Sequence, residues 1–211
     1  MSRGIFIALV LRLSIFALGG IASLVMPGGR DLDGGPGSFV FLAVAAAFQI
    51  AVLYFGLFRP MASSAAELGW RDFRGRDVLL GVLGGAACIG IMLGVFSGLG
   101  RLEVGPFLAD ALDRPLAQEL LWVGVGLLAA FTEETIYRGW LQPAFIDKWG
   151  KLWGILGCAA LFSAFHFQPA PLPFLSKLGA GIVLGLLRDR LGTLWAAGIA
   201  HTLIWVVFGM A

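Results

Sequence analysis

Two glutamates, Glu133 and Glu134, stand side by side at the end of a long apolar run in "AAFTEETIYRGWLQ" (129–142), with Arg138 shortly after. A charge at mid-bilayer depth costs about 2.5–3.5 kcal/mol on insertion scales, and such residues usually face a bundle interior and carry function. Adjacent helical positions point about 100° apart, so the two acids address different spots. Glu134 and Arg138 are four residues apart with the acid first, the favourable order for an ion pair. Glu133 has Tyr137 at the same spacing, which offers at most a hydroxyl. The pattern predicts one acid braced locally and a second, Glu133, whose partner comes from another helix.

The chain has two histidines, His166 in "LFSAFHF" and His201 in "AAGIAHTLIW". Either one alone reads as a satisfied core histidine. At about 1.5 Å per residue, Glu133, His166 and His201 lie roughly 15, 20 and 13 Å from the cytoplasmic ends of their helices. Three costly side chains at similar depth on three helices predict one polar site rather than three accidents. Its parts suit hydrolysis. A carboxylate in a low-dielectric pocket is a better base toward water. One imidazole can orient that water or pass a proton to the leaving amine, and the other can donate to the oxyanion of a tetrahedral intermediate. The competing structural reading is a charged knot of both glutamates with Arg138 at a helix end.

These residues need helices to hold them, and the composition says in what solvent. The 211 residues are 59% hydrophobic and 13% charged, with a mean hydropathy of +0.90. Soluble chains carry about 25% charged residues. The apolar residues come in blocks of about the length that crosses a bilayer as helix. The predicted class is an all-α, polytopic transmembrane helix bundle, one integral membrane domain over 1–211. About seven spans are expected, near 4–26, 38–58, 78–100, 117–142, 152–168, 174–189 and 193–210. The first is kept as a span rather than a cleaved signal, because Arg12 interrupts it and no clear small-residue cleavage site follows. The connections are the turn-rich "PGGRDLDGGPG" (27–37), the partly amphipathic "RPMASSAAELGWRDFRGRD" (59–77) and the proline-broken "QPAPLP" (168–173). The short "RDRLG" link makes the last two spans an antiparallel hairpin.

Lys and Arg in alternate loops divide ten against four, which predicts a cytoplasmic N-terminus, with Arg12 left within the membrane. Trp140, Trp149 and Trp153 fall near the proposed cytoplasmic surface as interfacial anchors. No basic cluster or nucleic-acid motif appears. Cys88 and Cys158 lie inside apolar segments and read as packing residues, with no disulfide framework or metal spacing. Glycines spaced by four (Gly81 and Gly85, Gly90, Gly94 and Gly98, Gly181 and Gly185) let helix backbones approach closely. Packing within one bundle is the favoured use; homodimerisation through those faces is the alternative.

On these residues the chain resembles the CAAX-protease and bacteriocin-processing (CPBP) family of intramembrane endopeptidases. Its first motif, two glutamates followed after three residues by arginine, reads here Glu133, Glu134, "TIY", Arg138. Its second, phenylalanine, three residues, histidine, reads Phe162, "SAF", His166. "YRGWLQPAF" and "GAGIVLGLLRDRLGTLWAAGIAH" carry the wider likeness, over a catalytic core of about 115–205. The resemblance implies a glutamate-dependent peptidase. Glu133 would activate water with help from His166, His201 would help form the oxyanion site, and Glu134, Arg138 and Phe162 would support them. Descriptions of the family as metalloproteases imply instead a zinc held by Glu133, His166 and His201, since two histidines and a glutamate are a recognised catalytic set. The metal-free form, with no cofactor, is favoured because a helical H-E-x-x-H is absent.

The third motif departs from the family. With three residues between, its histidine is usually followed by an asparagine or similar polar residue, whereas Trp205 stands here and the chain has no asparagine. Trp205, through its indole N–H, or Thr202 is expected to take the donor role, and Ser163 is a further candidate. The resemblance implies a peptide or protein substrate at the bilayer. The charge pattern and length suit a bacterial inner membrane, where leader peptides, small secreted peptides or C-terminal sorting tails would be cut, as by short members of the myxosortase kind. The alternatives are a non-catalytic scaffold or immunity protein of the same fold, and a proton-coupled transporter, which the missing internal repeat disfavours.

Overall fold

The computed structural model describes residues 6, 7, 10, 35–61, 63–98, 102–166 and 171–209. All elements among them are helical. Helix α1 (Pro36–Leu53) starts with a proline in its first turn and runs through a π-helical turn, Tyr54–Phe58, into Arg59–Met61. The four-residue α2 (Ala65–Leu68) is held by a capping box, in which Ser64 N–H donates to the Glu67 carboxylate at 2.7 Å and Glu67 N–H to Ser64 Oγ at 3.3 Å. Helix α3 (Gly75–Ser97) opens where the Arg74 N–H donates to Asp77 Oδ2 at 2.8 Å. Then come α4 (Val104–Leu112), α5 (Leu116–Glu134), a π-helical turn Thr135–Leu141, α6 (Gln142–Ala164), α7 (Pro171–Leu191) and α8 (Trp195–Phe208).

Four stretches are long and apolar enough to cross a membrane: Pro36–Met61, Gly75–Ser97, Leu116–Ala164 and Pro171–Leu191. The expected spans 117–142 and 152–168 are joined in the third of these, which is 49 residues long. It is not one rod. Gly150, at φ 76° and ψ 167°, leaves the helical region inside α6. The chain folds back there. A Cβ on Gly154 would lie 2.6 Å from Ile146 Cα, the Cys158 thiol donates to Tyr137 O at 3.0 Å, and Tyr137 and Phe162 meet edge to face. The expected last span is a 14-residue helix, about 21 Å long. It manages without full spanning length because Ala196, Ala197, Gly198, Ala200 and His201 are buried among its neighbours. The expected span 4–26 lies outside the described residues except for Phe6, Ile7 and Val10, and so do Arg12, 27–34 of the first connection and 168–170 of the last.

Helix α8 is the central member, and small residues let the others reach it. Gly81 and Gly85 of α3 face Ile199 and Leu203, and Gly126 of α5 faces the Thr202 backbone, each so closely that an added Cβ would come within 3.0 Å. Gly181 of α7 lies against Ala159 of α6, and Gly185 against Gln142 and Ile155. The glycine spacing therefore serves packing inside the bundle at these positions, while Gly90 and Gly94 have nothing within 4 Å. Cys88 and Cys158 are buried, unoxidised packing residues. The register makes α8 run parallel to α3 and antiparallel to α5 and α7, so the last two helices form the expected hairpin.

Candidate active site

The glutamate pair occupies the last two positions of α5, where the backbone passes into the π-helical turn Thr135–Leu141. Single π turns inside α-helices are frequent at functional sites, because the extra residue re-aims the side chains around it. Glu134 has no exposed surface. Its Oε1 accepts from Arg138 Nη1 at 3.0 Å and from His201 Nδ1 at 2.7 Å. Arg138, 1% exposed, donates a second bond to the Gly181 carbonyl at 3.2 Å and lies over the Phe162 ring, 4.4 Å from its centroid. The buried guanidinium is therefore met by a carboxylate, a carbonyl and an aromatic face, which is what keeps a buried charge from being prohibitive.

Phe162 is the hub of the arrangement. Its ring touches Tyr137 at 5.2 Å, His166 at 4.7 Å and His201 at 5.9 Å between centroids. His166 Nδ1 lies 2.8 Å from the Phe162 carbonyl. A carbonyl only accepts, so Nδ1 carries the proton and Nε2 of the neutral ring keeps its lone pair. By the same logic His201 donates from Nδ1 to Glu134, which holds the ring in place. Glu134, Arg138, Phe162, His166 and His201 thus meet in one contiguous cluster drawn from α5, the π turn, α6 with its following turn, and α8. Glu133 is buried beside them, one residue before Glu134.

The expected donors fare differently. The Thr202 hydroxyl donates to Gly198 O at 2.9 Å and the Ser163 hydroxyl to Phe174 O at 2.6 Å. Each hydroxyl has one proton, and here a carbonyl already takes it. Trp205 stacks on Trp122 with centroids 6.3 Å apart. As to zinc, no three His, Cys, Asp or Glu side chains among the described residues stand close enough together to share a metal ion.

Against family models, residues 115–207 match the one described as "Type II CAAX prenyl endopeptidase Rce1-like". This segment is an Rce1-like domain of the CPBP family. Comparison with curated proteins gives no match, and neither does comparison with solved structures. The Rce1-like domain, a little under half of the chain, contains both glutamates, Arg138, Phe162 and both histidines. With its apolar helices it makes the chain an integral membrane protein.

Residues outside the domain also reach the site, and the sequence reading missed them. Gln49 of α1 is buried with its carboxamide 3.2 Å from Thr132 Oγ1, next to Glu133. The hydroxyl proton of Thr132 goes to Leu128 O at 2.8 Å, so the Gln49 amide is better oriented with its NH2 donating to Thr132. A lone amide in an apolar span was a usable signal. Trp70, from the polar 59–77 connection, donates from Nε1 to Thr135 Oγ1 at 2.8 Å. Nothing in its local sequence marked it.

Proposed function

We propose that the protein is a CAAX-protease-type intramembrane endopeptidase that hydrolyses a peptide bond of a membrane-associated protein or peptide with a glutamate-activated water. The observation that carries this reading is the buried Glu134–Arg138–His201 cluster joined through Phe162 to His166, within a domain of this family. Glu133 is the base that takes the proton from water. His166, its ring held by the Nδ1 bond to Phe162 O, positions that water and relays the proton to the leaving amine. Glu134 holds the His201 ring, as the acid of a Ser-His-Asp triad holds its imidazole, and His201 as the imidazolium, with a proton on each nitrogen, keeps its Nδ1 bond to Glu134 and donates from Nε2 to the oxyanion. Arg138 neutralises Glu134 and keeps it in place. No step needs a metal ion.

The substrate class follows the family, a membrane-associated protein or peptide, with leader peptides, small secreted peptides or C-terminal sorting tails as the bacterial forms. The N-terminus faces the cytoplasm, in line with the distribution of Lys and Arg. A second reading, a binding protein without cleavage, is favoured by one observation: the Thr202 and Ser163 protons are already engaged, and Trp205 replaces the usual polar residue. Comparing peptide termini in membranes and medium from cells with the intact chain or Glu133→Gln separates the two. Loss of specific mature termini with accumulation of longer precursors is expected. Matching profiles at equal protein levels would leave the binding reading.

A further inference from the structure

We propose that Trp70 is a positioning residue of this site, a wedge that sets the separation across which His201 bonds to Glu134. It rests on the reading above that this pair belongs to the hydrolytic site. Trp70 comes from the connection between α2 and α3, outside the Rce1-like domain. Its indole N–H bonds to Thr135, the residue after Glu134, whose own hydroxyl donates to Phe131 O. Its ring lies 5.6 Å from Phe131 on the same helix. On the other side the ring presses on Gly198, three residues before His201, where an added Cβ would be 2.7 Å from Trp70 Cη2. One side chain therefore touches both the helix of the acid and the helix of the imidazole, each within a turn of the pair. An indole is rigid and has only two side-chain torsions. The gap it fills is set by the ring.

The wedge is itself firmly seated. Leu194 N–H donates to Gly69 O at 2.9 Å, and Gly69 takes φ +122°, a conformation suited to glycine, with the Arg188 guanidinium against it. Leu68 is buried, and its carbonyl lies against Gly139 of the π turn. Trp195 meets the indole edge to face at 5.0 Å.

The test uses the full chain in detergent micelles with isotope-labelled histidine. With only two histidines in the chain, His166→Gln and His201→Gln assign both rings. The intact protein is expected to give a strongly hydrogen-bonded Nδ1 proton for His201. Trp70→Ala should move the His201 ring signals toward those of a weak bond while leaving His166 in place. Trp70→Phe, which keeps a ring but drops the bond to Thr135, should fall between. Gly198→Ala leaves Trp70 present but pushes the indole aside, and it should shift His201 in the same direction; if Trp70→Ala does not fold, this variant decides alone. An aromatic that only filled space would leave the His201 signals unmoved in folded Trp70→Ala and Gly198→Ala, and that result overturns the proposal. The spectra do not depend on turnover. Failure of Glu133→Gln to abolish cleavage would remove the functional reading and leave this result intact. Where cleavage is established, Trp70→Ala should lose about 10- to 100-fold in kcat with KM little changed, the effect of misplacing a group by about 1 Å.

Discussion

The two glutamates differ by one position and by everything around them. Glu134 carries a buried ion pair and a bond to His201, so its charge is structural as well as electrostatic. Glu134→Gln leaves the Arg138 guanidinium buried without its counter-charge, which costs about 3–5 kcal/mol. The expected outcome is a marked fall in thermal stability in detergent, whereas Glu133→Gln unfolds near the intact protein while losing cleavage. Equal stabilities of the two variants would mean that Arg138 leans mainly on the Gly181 carbonyl and the Phe162 ring. At this scale the sequence was partly legible. The spacing of Glu134 and Arg138 announced their pairing, because both sit on one helix. That His201 bonds Glu134 was not legible, since a bond between residues 67 positions apart depends on where two helices cross.

At the scale of elements, the fold-back at Gly150 matters most. It lays the second half of α6 beside the π turn and so carries Phe162 and His166 to Glu134. A helix unbroken from 116 to 164 would hold them some 40 Å away at 1.5 Å per residue. The reversal depends on a glycine at φ 76° and on close approach at Gly154. Gly154→Leu is expected to force the two arms apart, because even its Cβ meets the Ile146 backbone. Cleavage and thermal stability should fall together, whereas Leu156→Ala on the same arm, at a partly buried position, should cost only what its lost packing costs. The sequence reading expected two spans here with a break between them. It put the break in the correct place and missed that the chain stays helical over 143–149 up to Gly150, where "DKWGKLW" offers a single glycine and no proline.

At the scale of the whole molecule, a small polar site is enclosed by apolar helices, with residues from outside the Rce1-like domain closing it. Gln49 from α1 and Trp70 from the α2–α3 connection bond to Thr132 and Thr135 on either side of the glutamate pair, so the domain alone does not supply all the packing around it. A glutamate mechanism also predicts insensitivity to metal chelation. Membranes treated with 1,10-phenanthroline or EDTA should keep their cleavage rate, and a loss restored by added zinc would move the chemistry to a metal. The sequence by itself determined the solvent, the helical class and the residue types able to do chemistry. Composition, run length and i to i+4 spacing are properties of the chain, and burial in a bilayer leaves the backbone little choice but helix. It also carried the family likeness, because that rests on short motifs in order. Only the tertiary structure decided that His201 pairs with Glu134, that Phe162 links both histidines to Arg138, and that Thr202 and Ser163 spend their protons on carbonyls. Those outcomes depend on helix crossings set by close glycine contacts and one fold-back, and distances across a bundle are not encoded in any local spacing.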